Sequence, residues 1–159
     1  MDKKDFTDGV ELIKARLYRT AYLYLGDKTS ALEAVDEAIY KGLKARNKLR
    51  EHKYFDTWLT RILINECKKE LRRRKRISPI EYLPEGEAEE YNYDTLPLKE
   101  AISKLPEELR IVIILRYFSD YTLSQTAESL EIPQGTVVTR QRRALKLLKL
   151  ELSVEEEAL

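Results

Sequence analysis

The residues best suited to chemistry crowd into one short stretch. Glu131-Ile132-Pro133-Gln134-Gly135 leads straight into Thr136-Val137-Val138-Thr139-Arg140-Gln141-Arg142-Arg143. If a helix starts at this Pro-x-Gly with Val137 turned inward, Thr136, Val138, Thr139, Arg142 and Arg143 face outward, and Arg140 adds a third cation. A threonine hydroxyl bonds phosphate or base, and a guanidinium forks onto the acceptors of a guanine edge. That is recognition chemistry, directed at a duplex.

A second set combines cations with rings. KKELRRRKR spans 68–76, and the segment before it supplies Lys48, Arg50, His52, Lys53, Tyr54, Phe55 and Trp58. Charge that holds phosphates, beside rings that stack on unpaired bases, is what a single-strand binder needs. The basic run taken alone equally fits a solvated helix end whose cations suit the dipole. Phe55 and Trp58 also match the core period, so packing accounts for them better than stacking, whereas His52 and Tyr54 are better placed to reach a base. A third group, Glu33, Asp36 and Glu37, lies within about one helical turn and reads as a solvated or partner-binding face.

No catalytic constellation stands beside these. There is no Gly-rich phosphate loop, no HExxH and no Ser/His/Asp set. His52 is the only histidine and lacks partners for a metal site, and no cofactor is expected. Cys67 is the only cysteine, which excludes a disulfide framework within the chain and fits a reducing compartment. No apolar run approaches a membrane span, and MDKKDFTDG lacks a signal-peptide core, so a cytoplasmic protein is expected.

The 159 residues suffice for one domain or two small ones, and 43% hydrophobic content can build cores. A net charge of +1 conceals segregation along the chain. Fourteen Lys or Arg face four acids between Lys41 and Arg76, whereas Glu81, Glu85, Glu87, Glu89, Glu90 and Asp94 occur in 81–94 with no base. A basic segment followed by an acidic spacer is the pattern of a nucleic-acid binder.

The elements that must position these groups read as helices throughout. Val10, Ile13, Leu17, Ala21 and Tyr24 give a first helix from about Asp8 to Leu25, closed by Gly26. Ser30 and Glu33 fit a capping box that opens a second, with Ala31, Ala34, Val35, Ala38, Ile39 and Leu43 on one face and Glu33, Asp36, Glu37, Tyr40 and Lys44 on the other. Residues 47–54 have no period and read as a loop. Phe55, Trp58, Leu59, Ile62, Leu63 and Leu71 mark a third helix to about Arg74. Two Pro, a Gly and the acids place a linker at 77–95. Beyond it lie four helical patterns: one through Leu98, Ile102 and Leu105; one opened by Pro106 at its first position; one behind a Thr122/Gln125 capping box; and one beginning at 133–136, with Val137, Ala144, Leu145 and Leu148 inward and a frayed tail. TLSQTAESLEIPQGTVVTRQRRA thus has the shape of a helix-turn-helix, with the small Ala127 where two helices cross and Ile132 in the turn.

In order, GDKTSALEAVDEA, FDTWLTRILINECKKELRRR, an acidic linker and KLPEELRIVIILRYFSDYTLSQTAESLEIPQGTVVTRQRRALKLL closely resemble the bacterial extracytoplasmic-function (ECF) sigma factors of the sigma-70 family, over about residues 10–150. The resemblance implies an all-α chain of two small domains. A three-helix domain over 1–76 would bind core RNA polymerase and a melted −10 element, and a four-helix domain over 96–152 would read a duplex −35 element. It further implies that Glu33, Asp36, Glu37 and Tyr40 dock polymerase, and that residues 48–54 with Trp58, Asn65, Lys68, Lys69 and Arg72 hold the unpaired strand. His52, Lys53 and Tyr54 would capture a flipped base. Thr136, Val138, Thr139, Arg140, Arg142 and Arg143 would read the duplex. An anti-sigma protein, often membrane-anchored, is the expected inhibitor. Val138 stands where the family commonly has Lys or Arg, and Arg142 where it has an aromatic or His, so a distinct preferred sequence follows. The alternative is a helix-turn-helix regulator that never engages polymerase. A single-strand RNA binder would leave the duplex-reading helix unexplained.

Overall fold

The structure is a computed structural model that describes residues 1–77 and 96–158. The acidic stretch expected as a linker falls, from residue 78 onward, outside the described residues. Seven α-helices are found among those described, in the order α1 (Lys3–Leu25), α2 (Lys28–Ala45), α3 (Phe55–Ile77), α4 (Leu96–Lys104), α5 (Glu107–Ile113), α6 (Leu123–Leu130) and α7 (Gln134–Ala158). Short 3-10 turns at Arg46–Lys48 and His52–Tyr54 occupy the segment expected as a loop.

The helix starts follow from side chains that satisfy free N–H groups. Asp2 accepts from Asp5 N at 2.8 Å, so α1 begins at Lys3, five residues before the expected start at Asp8. The cap of α2 is Asp27, which accepts from Ser30 N at 2.8 Å, and not Ser30. Ser30 is instead inside the helix, with its hydroxyl 3.0 Å from the Arg74 guanidinium. Pro106 is the N-cap of α5 rather than its first helical residue. The Thr122/Gln125 box forms as the sequence predicts, with reciprocal bonds of 3.0 and 2.9 Å. At the other ends, α3 runs past Arg74 to Ile77, and α7 stays helical through Ala158 where fraying was expected.

α1, α2 and α3 pack pairwise into one unit. Phe6, Ile13, Leu17 and Ala21 meet Ala31, Val35 and Ala38 of α2 and Leu59, Leu63 and Cys67 of α3, all buried. The small α2 stripe lets the helices approach closely: a Cβ on Gly42 would stand 2.8 Å from Leu59 Cδ1. Burial pushes the Cys67 thiol up to about 12, so it is a small apolar core residue rather than a reactive one.

α4 to α7 form the second unit, around Ile102, Leu109, Val112, Ile113, Leu115, Ala127, Val137 and Ala144. Leu145, expected inward, is 41% exposed, because Ala144 and Leu148 already define the buried stripe of α7. The helix of α5 continues as a π turn over Ile114–Phe118, closed by Ser119 N donating to Ile114 O at 3.1 Å.

The two units are docked. α6 lies on α3, while α4 and the π turn lie on α1.

Candidate nucleic-acid interface

The helix-turn-helix is α6, its turn and α7. Ala127 and Leu130 bury against Val137, and Ile132 half-fills the turn. Glu131 takes the left-handed conformation (φ 57°), where glycine is usual, and Ile132 N donates to Ala127 O at 3.1 Å to close α6. This sharp exit aims the first turns of α7 away from the unit's core. Thr139, Arg142 and Arg143 are exposed, and Thr136 and Val138 are half-buried. Arg140 is also half-buried and lies 3.6 Å from Glu108 of α5. Thr139 Oγ1 donates to Gly135 O at 3.0 Å, which orients its methyl and leaves the hydroxyl oxygen able to accept. The exposed guanidinium groups of Arg142 and Arg143 are the strongest donors this surface offers a base edge or a phosphate.

The second surface belongs to the first unit. His52, Lys53 and Tyr54 form an exposed 3-10 turn immediately before α3, with Lys53 Nζ 5.0 Å from the Tyr54 ring centroid. Phe55 is buried, edge-on to Phe6 at 5.6 Å. Trp58 is half-buried beside it at 6.2 Å. The core period thus claims Phe55 wholly and Trp58 in part. Trp58, Asn65, Lys69 and Arg72 recur at seven, four and three residues, so they form one stripe along α3. Asn65, Lys69 and Arg72 are exposed, whereas Lys68 is half-buried on the next stripe, which faces the second unit.

The basic run at the end of α3 divides by role. Arg74 is buried and structural: its guanidinium donates to Leu25 O at 2.6 Å, Asp27 at 2.6 Å, Ser30 at 3.0 Å and Glu70 at 3.2 Å. Those bonds tie the α1–α2 corner to α3. Arg73 also bonds Glu70 at 2.7 and 2.9 Å, and this pairing holds the Glu70 carboxyl below its ordinary value. Lys75 reaches Glu107 of the other unit at 3.3 Å. Arg72 and Arg76 remain exposed, beside the Asn65/Lys69 stripe. Sequence reading could count these cations but not divide them, since neighbouring arginines on a helix point about 100° apart.

On α2, Glu33, Asp36, Glu37 and Tyr40 are all exposed on the face opposite the buried alanines. Lys41 pairs with Glu66 of α3, which sets that face in register with the α3 stripe.

Sequence reasoning missed a polar cluster where the units meet. The Tyr121 hydroxyl donates to Asp56, which also pairs with Arg16, and Thr60 Oγ1 lies 2.7 Å from the same hydroxyl. Arg16 stacks over the Tyr121 ring at 5.4 Å. Thr20 and Ser119 share a 2.9 Å hydroxyl–hydroxyl bond, and both are buried. Arg61 donates to Glu128 O at 3.1 Å and lies 3.5 Å from Glu131. The available signal was hydroxyl residues interrupting apolar faces at 20, 60 and 119.

Comparison with known proteins matches each of the two units to a family. The family model for sigma-70 region 2 matches residues 10–77, and that for sigma-70 region 4 matches residues 101–150. The RNA polymerase sigma factor SigV of Bacillus subtilis is 35% identical over 148 residues, covering 90% of this chain and 88% of that protein. The ECF RNA polymerase sigma factor SigW of the same organism is 28% identical and covers 95% and 90%. Among solved structures, the sigma factor RpoE of Bartonella quintana, in complex with the anti-sigma factor NepR, superposes with a TM-score of 0.82 at 24% identity, over 95% of this chain and 98% of that one. CnrH, solved with the cytosolic domain of CnrY, gives 0.73 at 19% identity over 96% and 90%. With both halves matched in order and the likeness to SigV extending over nearly the whole length, the chain belongs to the sigma-70 family, as an RNA polymerase sigma factor of the ECF type.

Proposed function

We infer that this chain is an alternative sigma factor: it binds core RNA polymerase and directs promoter-specific initiation of transcription. The observation that carries this reading is the pairing, in one chain, of a duplex-reading helix with a basic, ring-flanked α3 stripe beside an exposed acidic α2 face. A helix-turn-helix regulator needs only the first of these.

The division of labour runs by unit, over residues 1–76 and 96–152, with 77–95 as the connection. Thr136, Val138, Thr139, Arg140, Arg142 and Arg143 read the −35 element in closed duplex. Thr139 and the two exposed arginines supply hydrogen bonds, and Val138 offers an apolar contact suited to a thymine methyl. His52, Lys53 and Tyr54 take a flipped base of the −10 element. Trp58, Asn65, Lys68, Lys69 and Arg72 hold the strand that carries it. Unstacking costs a few kcal/mol per base and is offset by stacking and phosphate contacts. The chain hydrolyses nothing, because melting draws on binding energy and bond formation belongs to polymerase. Glu33, Asp36, Glu37 and Tyr40 form the polymerase-docking face. The reading places the protein in the cytoplasm, where polymerase works. Among the described residues no helix is long and apolar enough to cross a membrane. An anti-sigma protein is the natural regulator, as RpoE was solved in complex with the anti-sigma factor NepR.

In vitro transcription with core polymerase over a genomic fragment library tests the function. Start sites that share a pair of upstream elements are expected. A chain that fails to co-elute with core polymerase at low salt, and yields no starts, would leave the regulator as the better reading.

A further inference from the structure

We propose that the cavity bordered by α1, α3, α5, α6 and α7 is a binding site for a small phosphate monoester of about mononucleotide size.

The cavity measures about 530 Å3, within the span of about 300–1,000 Å3 that small-molecule sites occupy. Lys68 and Lys75 of α3 and Arg140 of α7 line it, together with Glu107 and Glu108 of α5. Three cations against two carboxylates leave a net charge of +1, which favours an anion. Lys75 lies 3.3 Å from Glu107, and Arg140 lies 3.6 Å from Glu108. Lys68 is half-buried and has no ion pair or hydrogen bond among the described residues.

The same wall carries a buried donor that the chain leaves unused. Tyr24 is 2% exposed, and its hydroxyl has no hydrogen-bond partner among the described residues. Buried phenols ordinarily find one, so this position calls for a partner from outside the chain. The Arg110 guanidinium lies over the ring at 5.4 Å and donates to Leu105 O at 3.1 Å, which holds the ring in place. Burial, and then the negative charge of Glu107, raise the hydroxyl above its ordinary value. It therefore stays protonated near neutral pH. The influence of Glu107 also marks the hydroxyl as the end of the ring turned to the cavity.

Two ammonium groups, a guanidinium and a phenol all donate, and a phosphate ester answers them with three acceptor oxygens and negative charge. Lys68 and Arg140 are already suited to phosphate by their part in holding DNA. The remaining wall of Pro106, Ile111, Leu130 and Ile132 is apolar and suits an organic body rather than free phosphate. Glu107 and Glu108 can accept from the hydroxyls of that body.

Isothermal titration of the full chain with AMP, ribose 5-phosphate, inorganic phosphate and adenosine tests the site. Saturable binding of both esters is expected, about tenfold tighter than inorganic phosphate, with no binding of adenosine. Tyr24→Phe removes one hydrogen bond to a charged group and should weaken AMP binding about tenfold. Without ester its melting temperature should match the native chain, because the hydroxyl has no partner to lose, so misfolding cannot mimic the effect. Lys75→Met should weaken AMP by a similar factor, whereas Lys104→Gln, outside the cavity, should leave it unchanged. The site is refuted if neither ester binds saturably, if inorganic phosphate matches them, or if either Tyr24→Phe or Lys75→Met binds AMP as tightly as the native chain. Neither polymerase nor DNA enters the titration. Its failure leaves the sigma function standing, while a native chain that yields no transcripts refutes that function and leaves the site.

Discussion

Arg74 shows how residue identity and residue role part company. It sits inside a run of arginines and lysines that reads as a phosphate-binding strip, yet it is buried and satisfies Leu25 O, Asp27, Ser30 and Glu70. A planar guanidinium suits this place because several fixed donors can serve several acceptors at once. Removing it strands the Asp27 carboxylate and a backbone carbonyl away from water. Arg74→Ala is therefore expected to cost about 3 kcal/mol in urea unfolding, whereas Arg72→Ala should leave stability within about 0.5 kcal/mol. Equal losses from both would show that the four Arg74 bonds contribute little. Charge counting by itself cannot tell Arg74 from Arg72. Burial separates them, and burial depends on which way α3 turns against the α1–α2 corner.

At the scale of the element, caps and turns decide where the reading helix points. The Thr122/Gln125 box fixes the start of α6, and Glu131 in the left-handed region fixes the exit into α7. Thr122→Ala removes one half of the box, and about 1 kcal/mol of stability should go with it. Thermal denaturation measures that loss, and binding of a −35 duplex should weaken in parallel because α6 supports α7. Unchanged melting would mean that tertiary packing alone holds α6. Element existence was legible throughout, since the 3.6-residue apolar period survives in all seven helices. Their boundaries were less so. The spacing pointed to Ser30 as the cap of α2, whereas Asp27 caps it and Arg74 engages both Asp27 and the serine hydroxyl. The inward residues of α7 were read one position too wide at Leu145.

For the molecule as a whole, two buried tyrosines where the units meet give stability a pH signature. Burial, and then the negative charge of Glu107, raise the Tyr24 hydroxyl above its ordinary value of 10.0. Burial, and then donation to Asp56, raise Tyr121 likewise. A phenol whose folded pKa is raised contributes stability in full below pH 10, since neither state then ionises. That contribution falls once pH passes 10, where only the unfolded chain loses the proton. Stability should be level from pH 7 to 9 and drop above 10, with Tyr121→Phe showing a shallower drop. A native chain whose melting temperature is flat from pH 9 to 11 would contradict the burial of both hydroxyls and the Tyr121 bond to Asp56.

The sequence by itself determined the all-helical content, the order of the parts, the helix-turn-helix with its outward arginines and the acidic face of α2. Each of these is encoded in spacing along a single helix, or in residue types that act locally. Only the tertiary structure decided which cations are free for DNA and which are committed to the protein. It alone brought Tyr121 to Asp56 and Ser119 to Thr20, partners 65 and 99 positions apart. Contacts at that separation leave no period in the chain, because they depend on how two independently patterned surfaces meet.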